Sequence, residues 1–248
     1  MDARYDAIVI GAGIVGSCVG FELAKRGLRT LNIDRLPAAG YGSTSGSCAI
    51  IRFHYSTLDG CALAYEGVFI WRKWAEHLGV TDERGLAEFR NAGCMVLRSE
   101  ANDYLHPLCA RMDEIGIPWE DWDRDRILQK LPFHDLRRFA PAKRMEDAGF
   151  GEPTGPALDG AVYFPDAGYV NDPQLATHNV QRAAEAAGGQ FRFNAEITEI
   201  RQENGRVAGV TLADGTRIDA PVVVNVAGPH SAKVNALAGV QDGMKIRT

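Results

Sequence analysis

The strongest constraint on this chain is a six-residue run near its start. Gly11-Ala12-Gly13-Ile14-Val15-Gly16 spells GxGxxG directly after the apolar run Ala7-Ile8-Val9-Ile10. Ile14, Val15, Cys18, Val19 and Leu23 then recur at helical spacing, and Gly27 ends the helix. Strand, glycine turn and helix form the context in which this motif works. The first glycine permits the tight turn, the second lets a pyrophosphate approach the backbone, and the third lets helix and strand pack closely. The helix N-terminus then offers free N–H groups and partial positive charge to phosphates. A second short strand, Leu31-Asn32-Ile33, ends in Asp34, 23 residues after Gly11 (34 − 11). A carboxylate there accepts hydrogen bonds from ribose hydroxyls and disfavours a 2′-phosphate. The run therefore predicts a dinucleotide site.

The rest of the chain bears on which dinucleotide. Residues 35–60 are rich in Gly and Ser and predict a loop; 61–78 predict one amphipathic helix; Phe89 to Leu97 predict a strand; 101–115 and 123–130 predict helices. Asn171-Asp172-Pro173 opens a further helix, with a capping residue followed by Pro at the first turn. After it come a strand at Phe191-Arg192-Phe193 and a meander over 197–200, 207–212 and 216–218. Turns are expected at Asn204-Gly205 and Asp214-Gly215, and the apolar strand Val222 to Val226 runs into Ala227-Gly228. An ordinary nicotinamide dehydrogenase would continue in regular βα units. This chain breaks after its second strand and inserts over a hundred residues, and none of its seven tyrosines has Lys four positions on, as a short-chain dehydrogenase would need. The pattern favours FAD over NAD or NADP. The fold expected is α/β: a Rossmann-like FAD-binding domain with a β-meander, over 1–85 and 161–235, plus an incomplete α+β substrate domain over 86–160 and 236–248.

Composition excludes several alternatives. The net charge is −5, with 27 basic against 32 acidic residues, and no basic stripe suggests a nucleic-acid partner. The start lacks the basic, apolar and small-residue sections of a signal peptide, and no apolar run of about 18 residues predicts a membrane span. Cys18, Cys48, Cys61, Cys94 and Cys109 are odd in number and lack CxxC spacing, so no metal site and no disulfide framework is expected. They read as free, buried thiols, which suits a cytoplasmic location.

Three blocks resemble the D-amino-acid oxidase superfamily of flavoproteins, in particular its glycine oxidase, sarcosine oxidase and dimethylglycine dehydrogenase branch. They are Tyr5 to Ile10 with the glycines and Asp34, where the family more often has Glu; Gly42-Ser43-Thr44-Ser45-Gly46-Ser47-Cys48-Ala49-Ile50-Ile51-Arg52; and Gly168 to Pro173 followed by Glu196-Ile197-Thr198 and Val222 to Gly228. The resemblance implies that Asp34 holds the adenosine ribose with Arg35 near the adenine. It also implies that Ser43, Thr44 and Ser45 line the pyrophosphate and flavin side, that Ile197 meets the adenine edge, and that Ala227-Gly228 passes close to the cofactor. Ala49 stands where sarcosine oxidases usually carry an active-site Arg, which argues against simple sarcosine as substrate.

Arg52 is the candidate catalytic group, since a guanidinium pairs with a substrate carboxylate or steadies a flavin electrostatically. His54 and Tyr55 read as structural neighbours, Cys48 as a small buried hydrophobe, and the four tryptophans as core or interface. His230, after the last Ala-Gly, falls near the flavin by resemblance alone. The expected reaction is oxidation of the C–N bond of a secondary amine or amino acid. Open alternatives are oxidation of a 2-hydroxy acid or polyol, and a non-catalytic FAD-holding subunit. Met244 to Ile246 look like a strand just beginning. The 248 residues are therefore expected to be a truncated product, or one half of a split enzyme completed by a second polypeptide.

Overall fold

The computed structural model describes residues 4–100, 102 and 104–240. Along the chain they form β1 (Ala7–Ile10), α1 (Ile14–Lys25), β2 (Thr30–Ile33), β3 (Ile50–Ile51), α2 (Leu58–Arg72), α3 (Trp74–Leu78), β4 (Phe89–Arg90), β5 (Cys94–Leu97), α4 (Leu105–Ile115), β6 (Glu120–Asp123), α5 (Arg124–Lys130), β7 (Gly160–Phe164), β8 (Gly168–Val170), α6 (Pro173–Ala186), β9 (Gln190–Arg192), β10 (Ile197–Glu203), β11 (Arg206–Leu212), β12 (Arg217–Asp219), β13 (Val223–Asn225) and α7 (Ser231–Leu237), with a single 3₁₀ turn at Gly228–His230. They divide into two compact units. The first takes residues 1–49, 73–88 and 170–248, and the second takes 50–72 and 89–169.

In the first unit a parallel sheet runs β13-β1-β2-β9. Every residue of β1 and β2 is buried, and β1 is a continuous apolar run, as a strand covered on both faces requires. The pleat sorts their side chains. Ile8, Ile10, Leu31 and Ile33 join Ile200, Val210, Leu212 and Ile218 of the antiparallel meander β10-β11-β12 in one core. The other face carries α1, which packs against α6. Asp172 caps α6 by accepting the Leu175 N–H at 2.9 Å, with Pro173 at the first position, as its sequence predicts. Asn204 and Gly205 both take positive φ (53° and 73°), the geometry that a tight two-residue hairpin requires.

The second unit holds the antiparallel sheet β5-β7-β6 and the short sheet β3-β8-β4. Val162 and Phe164 of β7 pack with Phe53, Cys61 and Val68 beside α4 residues Leu105, Leu108 and Met112. Ala161 packs on the other side with Trp122, Ile127 and Leu136.

Several expectations change. The single helix over 61–78 is two, α2 and α3, because the backbone leaves helical geometry at Lys73 (φ −117°, ψ 35°). The strand over 89–97 is two short strands parted by Gly93 at φ 76°. The unit boundaries also differ from the expected ones. Residues 50–72 and 161–169 pack with the second unit, since α2 and β7 share its core, and 236–240 stay with the first. Met244 to Ile246 lie outside the described residues. Cys48 is exposed and only Cys61 is fully buried, so the five thiols are not a buried set. Cys48 lies in a turn-rich loop that no core cluster reaches. Among the described residues no helix is long and apolar enough to cross a membrane.

Candidate functional site

The glycine turn stands between β1 and α1 at the C-terminal edge of the parallel sheet. Gly11 takes φ 114°, and a Cβ there would lie 2.6 Å from the Val226 carbonyl oxygen. Its N–H donates to the Ile33 carbonyl at 2.9 Å. A Cβ on Gly16 would overlap the Gly11 carbonyl itself, so only glycine allows α1 to come so close to the turn. Gly13 is the N-cap of α1, with no side-chain cap of its own and no acidic residue in the first turn. That end of the helix keeps its partial positive charge available to an anion.

Above this turn lies a groove of about 480 Å³. Among the expected cofactor residues, Gly11, Gly13, Ile14, Val15, Gly16, Asp34, Arg35, Ser43, Thr44, Ile197, Ala227 and Gly228 line it. Ala12 does not: it is buried under the turn at 1% exposure and contributes its N–H to Asp34 Oδ2 at 2.8 Å. Ser45 does not either, because its hydroxyl turns back to the Gly42 carbonyl at 2.8 Å. Asp34 also accepts the Leu36 N–H through Oδ1 at 2.9 Å. The Thr44 hydroxyl accepts the Ile14 N–H at 3.2 Å, at the helix end where a phosphate oxygen would compete for it.

His230 lines the same groove, and its Nε2 lies 3.2 Å from Arg35 Nη2. Residues that sequence reasoning passed over also take part. Leu36, Ala195, Pro229, Lys233, Val234 and Leu237 also line the wall. Asn32, fully buried in β2, donates to the Gly16 carbonyl at 2.8 Å and so ties the strand to the glycine turn. A polar residue between the buried Leu31 and Ile33 was the available signal for it, since buried polar groups need partners. The other wall residues carry no comparable mark in the sequence.

Arg52 belongs to the second unit, where it is exposed, with its guanidinium 5.4 Å from the Tyr55 ring centroid. His54 stacks on Phe164 at 4.8 Å between centroids. Burial, and then the Arg52 charge, push its pKa down to about 4, so it is neutral near pH 7. Trp74 and Trp122 are buried, as core tryptophans would be. Burial, with Glu22 second, pushes the Cys18 thiol up to about 11, which leaves it protonated and unreactive.

Asp82, Glu83 and His178 bring donor atoms within 4.8 Å of one another. Those atoms are already engaged. Asp82 accepts from Asn179 at 2.6 Å and pairs with His178 at 2.7 Å, while Arg182 holds Glu83 at 2.6 Å. Burial pushes the Asp82 carboxyl up, and hydrogen bonds from the Arg84 N–H, Asn179 and His178 more than reverse that.

Comparison with known proteins agrees with this geometry. N-methyl-L-tryptophan oxidase of Yersinia pestis is 28% identical over 222 residues, covering 89% of this chain and 53% of that protein. The chain thus spans about half the length of the curated relatives it matches. L-proline dehydrogenase from P. horikoshii superposes with a TM-score of 0.79 at 23% identity, over 97% of this chain and 57% of that one. Glycine oxidase from Geobacillus kaustophilus superposes at 0.76 and 23% identity, over 96% and 59%. At that identity the two structures speak to the fold alone. The model of one family, described as FAD dependent oxidoreductase, matches residues 6–248. The chain belongs to that family, the DAO family of FAD dependent oxidoreductases.

Proposed function

We propose that the first unit binds FAD in the groove above the glycine turn, and that the whole protein oxidises the C–N bond of an amino acid or secondary amine. The observation that carries the cofactor reading is the cradle itself. A Cβ on Gly11 or Gly16 would strike the Val226 or Gly11 carbonyl, so only glycines let the turn close this tightly on the α1 N-terminus, which has no acidic residue in its first turn, beside Asp34 in the groove lining. Those features suit a pyrophosphate and a ribose. Bound FAD would supply the two-electron acceptor that C–N oxidation needs.

The remaining roles belong to this chain's own residues. The α1 N-terminus meets the phosphates, Asp34 the ribose, and Arg35, Ile197 and the wall formed by Val234 and Leu237 the adenosine end. Ser43, Thr44, Ala227 and Gly228 border the remainder of the groove. Arg52 is exposed and, among the described residues, makes no tighter contact than its approach to Tyr55, which leaves its guanidinium available to a substrate carboxylate. The substrate reading draws on the family and on the N-methyl-amino-acid oxidase among the relatives.

The test is direct. Purified protein should carry or take up a yellow flavin and ignore NAD. Without oxygen, a panel of N-methyl amino acids, D-amino acids, proline and 2-hydroxy acids is then scored by flavin bleaching. Bleaching by amino compounds is the expected result. Bleaching by hydroxy acids alone would reject the amine reading, and flavin retention without bleaching by any compound would favour a cofactor-holding subunit.

A further inference from the structure

We propose that His230 is a positioning residue for the cofactor: it holds the Arg35 guanidinium at the adenosine end of the groove. The inference rests on the reading of the groove as a dinucleotide site and goes further by assigning a task to a side chain outside the glycine motif.

The chemistry of the pair dictates its state. A guanidinium has donors and no acceptor. At 3.2 Å, Arg35 Nη2 must therefore donate to a lone pair on His230 Nε2, which puts the imidazole proton on Nδ1. His230 Nδ1 is shut off from solvent and has no partner among the described residues. An apolar ring at 230 would carry no such buried donor, so packing alone does not explain a histidine here. What the imidazole adds is the acceptor at Nε2.

Both partners stand on fixed backbone. Arg35 follows Asp34, whose N–H donates to the Arg192 carbonyl and whose carboxylate takes the Ala12 and Leu36 N–H groups. His230 closes the 3₁₀ turn after β13, with its own N–H on the Ala227 carbonyl at 3.1 Å. The two elements flank β1 on opposite sides, since the sheet order is β13-β1-β2. The hydrogen bond thus joins the chain leaving β2 to the chain leaving β13, and both residues line the groove. Each Asp34 oxygen accepts a backbone N–H, and no carboxylate comes within ion-pair distance of Arg35 among the described residues. Without His230, the long arginine side chain would keep its rotamer freedom, and ordering it would oppose binding. Held in place, the planar cation is ready to lie against a base.

The experiment measures binding of ADP to the full chain by calorimetry in wild type, Arg35→Ala, His230→Leu, His230→Gln and the double variant Arg35→Ala/His230→Leu. Each of the two truncations should weaken ADP by about tenfold, the scale of one hydrogen bond to a charged group. The double variant should be no weaker than Arg35→Ala alone, because His230 acts through Arg35. His230→Gln, which restores an acceptor, should recover most of the loss. Nitrogen-15 NMR of the imidazole gives a second reading that does not depend on any truncated variant at 230: wild type should show Nδ1 protonated and Nε2 bare, and Arg35→Ala should abolish that preference. Unchanged binding in His230→Leu, an additive loss of about a hundredfold in the double variant, or a tautomer indifferent to Arg35 would each overturn the assignment. Wild type that binds neither ADP nor FAD would instead sink the cofactor reading, and this inference with it.

Discussion

Asp34 Oδ2 accepts the Ala12 N–H at 2.8 Å, so the carboxylate that ends β2 also closes the turn that begins α1. Its other oxygen takes the Leu36 N–H. The residue therefore has a structural task before any ribose arrives. Asp34→Ala should cost about 1–3 kcal/mol of stability in the ligand-free protein, by leaving two N–H groups without their acceptor. Denaturant titration without cofactor measures this. A variant as stable as wild type, yet weak in FAD binding, would confine Asp34 to the ligand.

Gly16 at the cradle and Gly67 inside α2 should respond in opposite ways to alanine. In Gly16→Ala the new methyl overlaps the Gly11 carbonyl, and the turn must move; a loss of about 3 kcal/mol is expected, together with loss of nucleotide binding. Gly67 lies inside α2 with no atom within 4 Å of an added Cβ. Gly67→Ala should stabilise by about 0.5–1 kcal/mol. Melting curves of the two variants side by side check both signs.

Thr44 holds the Ile14 N–H that a phosphate oxygen would need. Thr44→Val should lower the stability of the ligand-free chain by about 1 kcal/mol. It should also enlarge the stabilisation that ADP or FAD confers, because the competing hydroxyl is gone. Thermal shift with and without ligand decides it: a smaller ligand-induced shift in Thr44→Val would make Thr44 a direct contact to the phosphate.

His54 should make the second unit sensitive to acid. Burial, reinforced by Arg52, lowers its pKa from 6.5 to about 4. Between those values the unfolded imidazole is protonated and the folded one is not. The unfolded chain binds the extra proton, and stability falls as the pH drops through that window and stays level above it. Denaturation midpoints at pH 7.5 and 5.0 should diverge more in wild type than in His54→Phe, which keeps a ring against Phe164. Equal pH dependence in the two proteins would show that His54 titrates alike folded and unfolded.

Much of the cofactor half is legible in the amino-acid sequence because its determinants are local. A glycine that must take φ 114°, an aspartate two residues beyond a buried Asn32, and a capped helix at Asp172-Pro173 each act within a few residues of themselves. The second unit is harder to read. Its strands β3, β4 and β8 are two or three residues long and gain their identity from pairing with distant partners, as Ile50 does with Tyr169. No periodicity can be counted over so few positions. Arg52 stands out in the sequence as a cation beside His54 and Tyr55, yet the stacking of His54 on Phe164 arises only through the β7 core.

The parallel βαβ start, the glycine cradle, the acidic end of β2 and the flavoprotein-like pattern are all written in residue types at fixed short spacing. Tertiary structure alone decided that Asp34 closes the Ala12 turn, that Thr44 occupies the α1 N-terminus, that Cys48 is exposed, and that Arg35 rests on His230, 195 positions away. The reason is physical: a hydrogen bond spanning the sheet between β2 and β13 depends on where β13 pairs with β1, and that register is set by the burial of Ile8 and Ile10 against the meander, not by any neighbour of Arg35 or His230 in the chain.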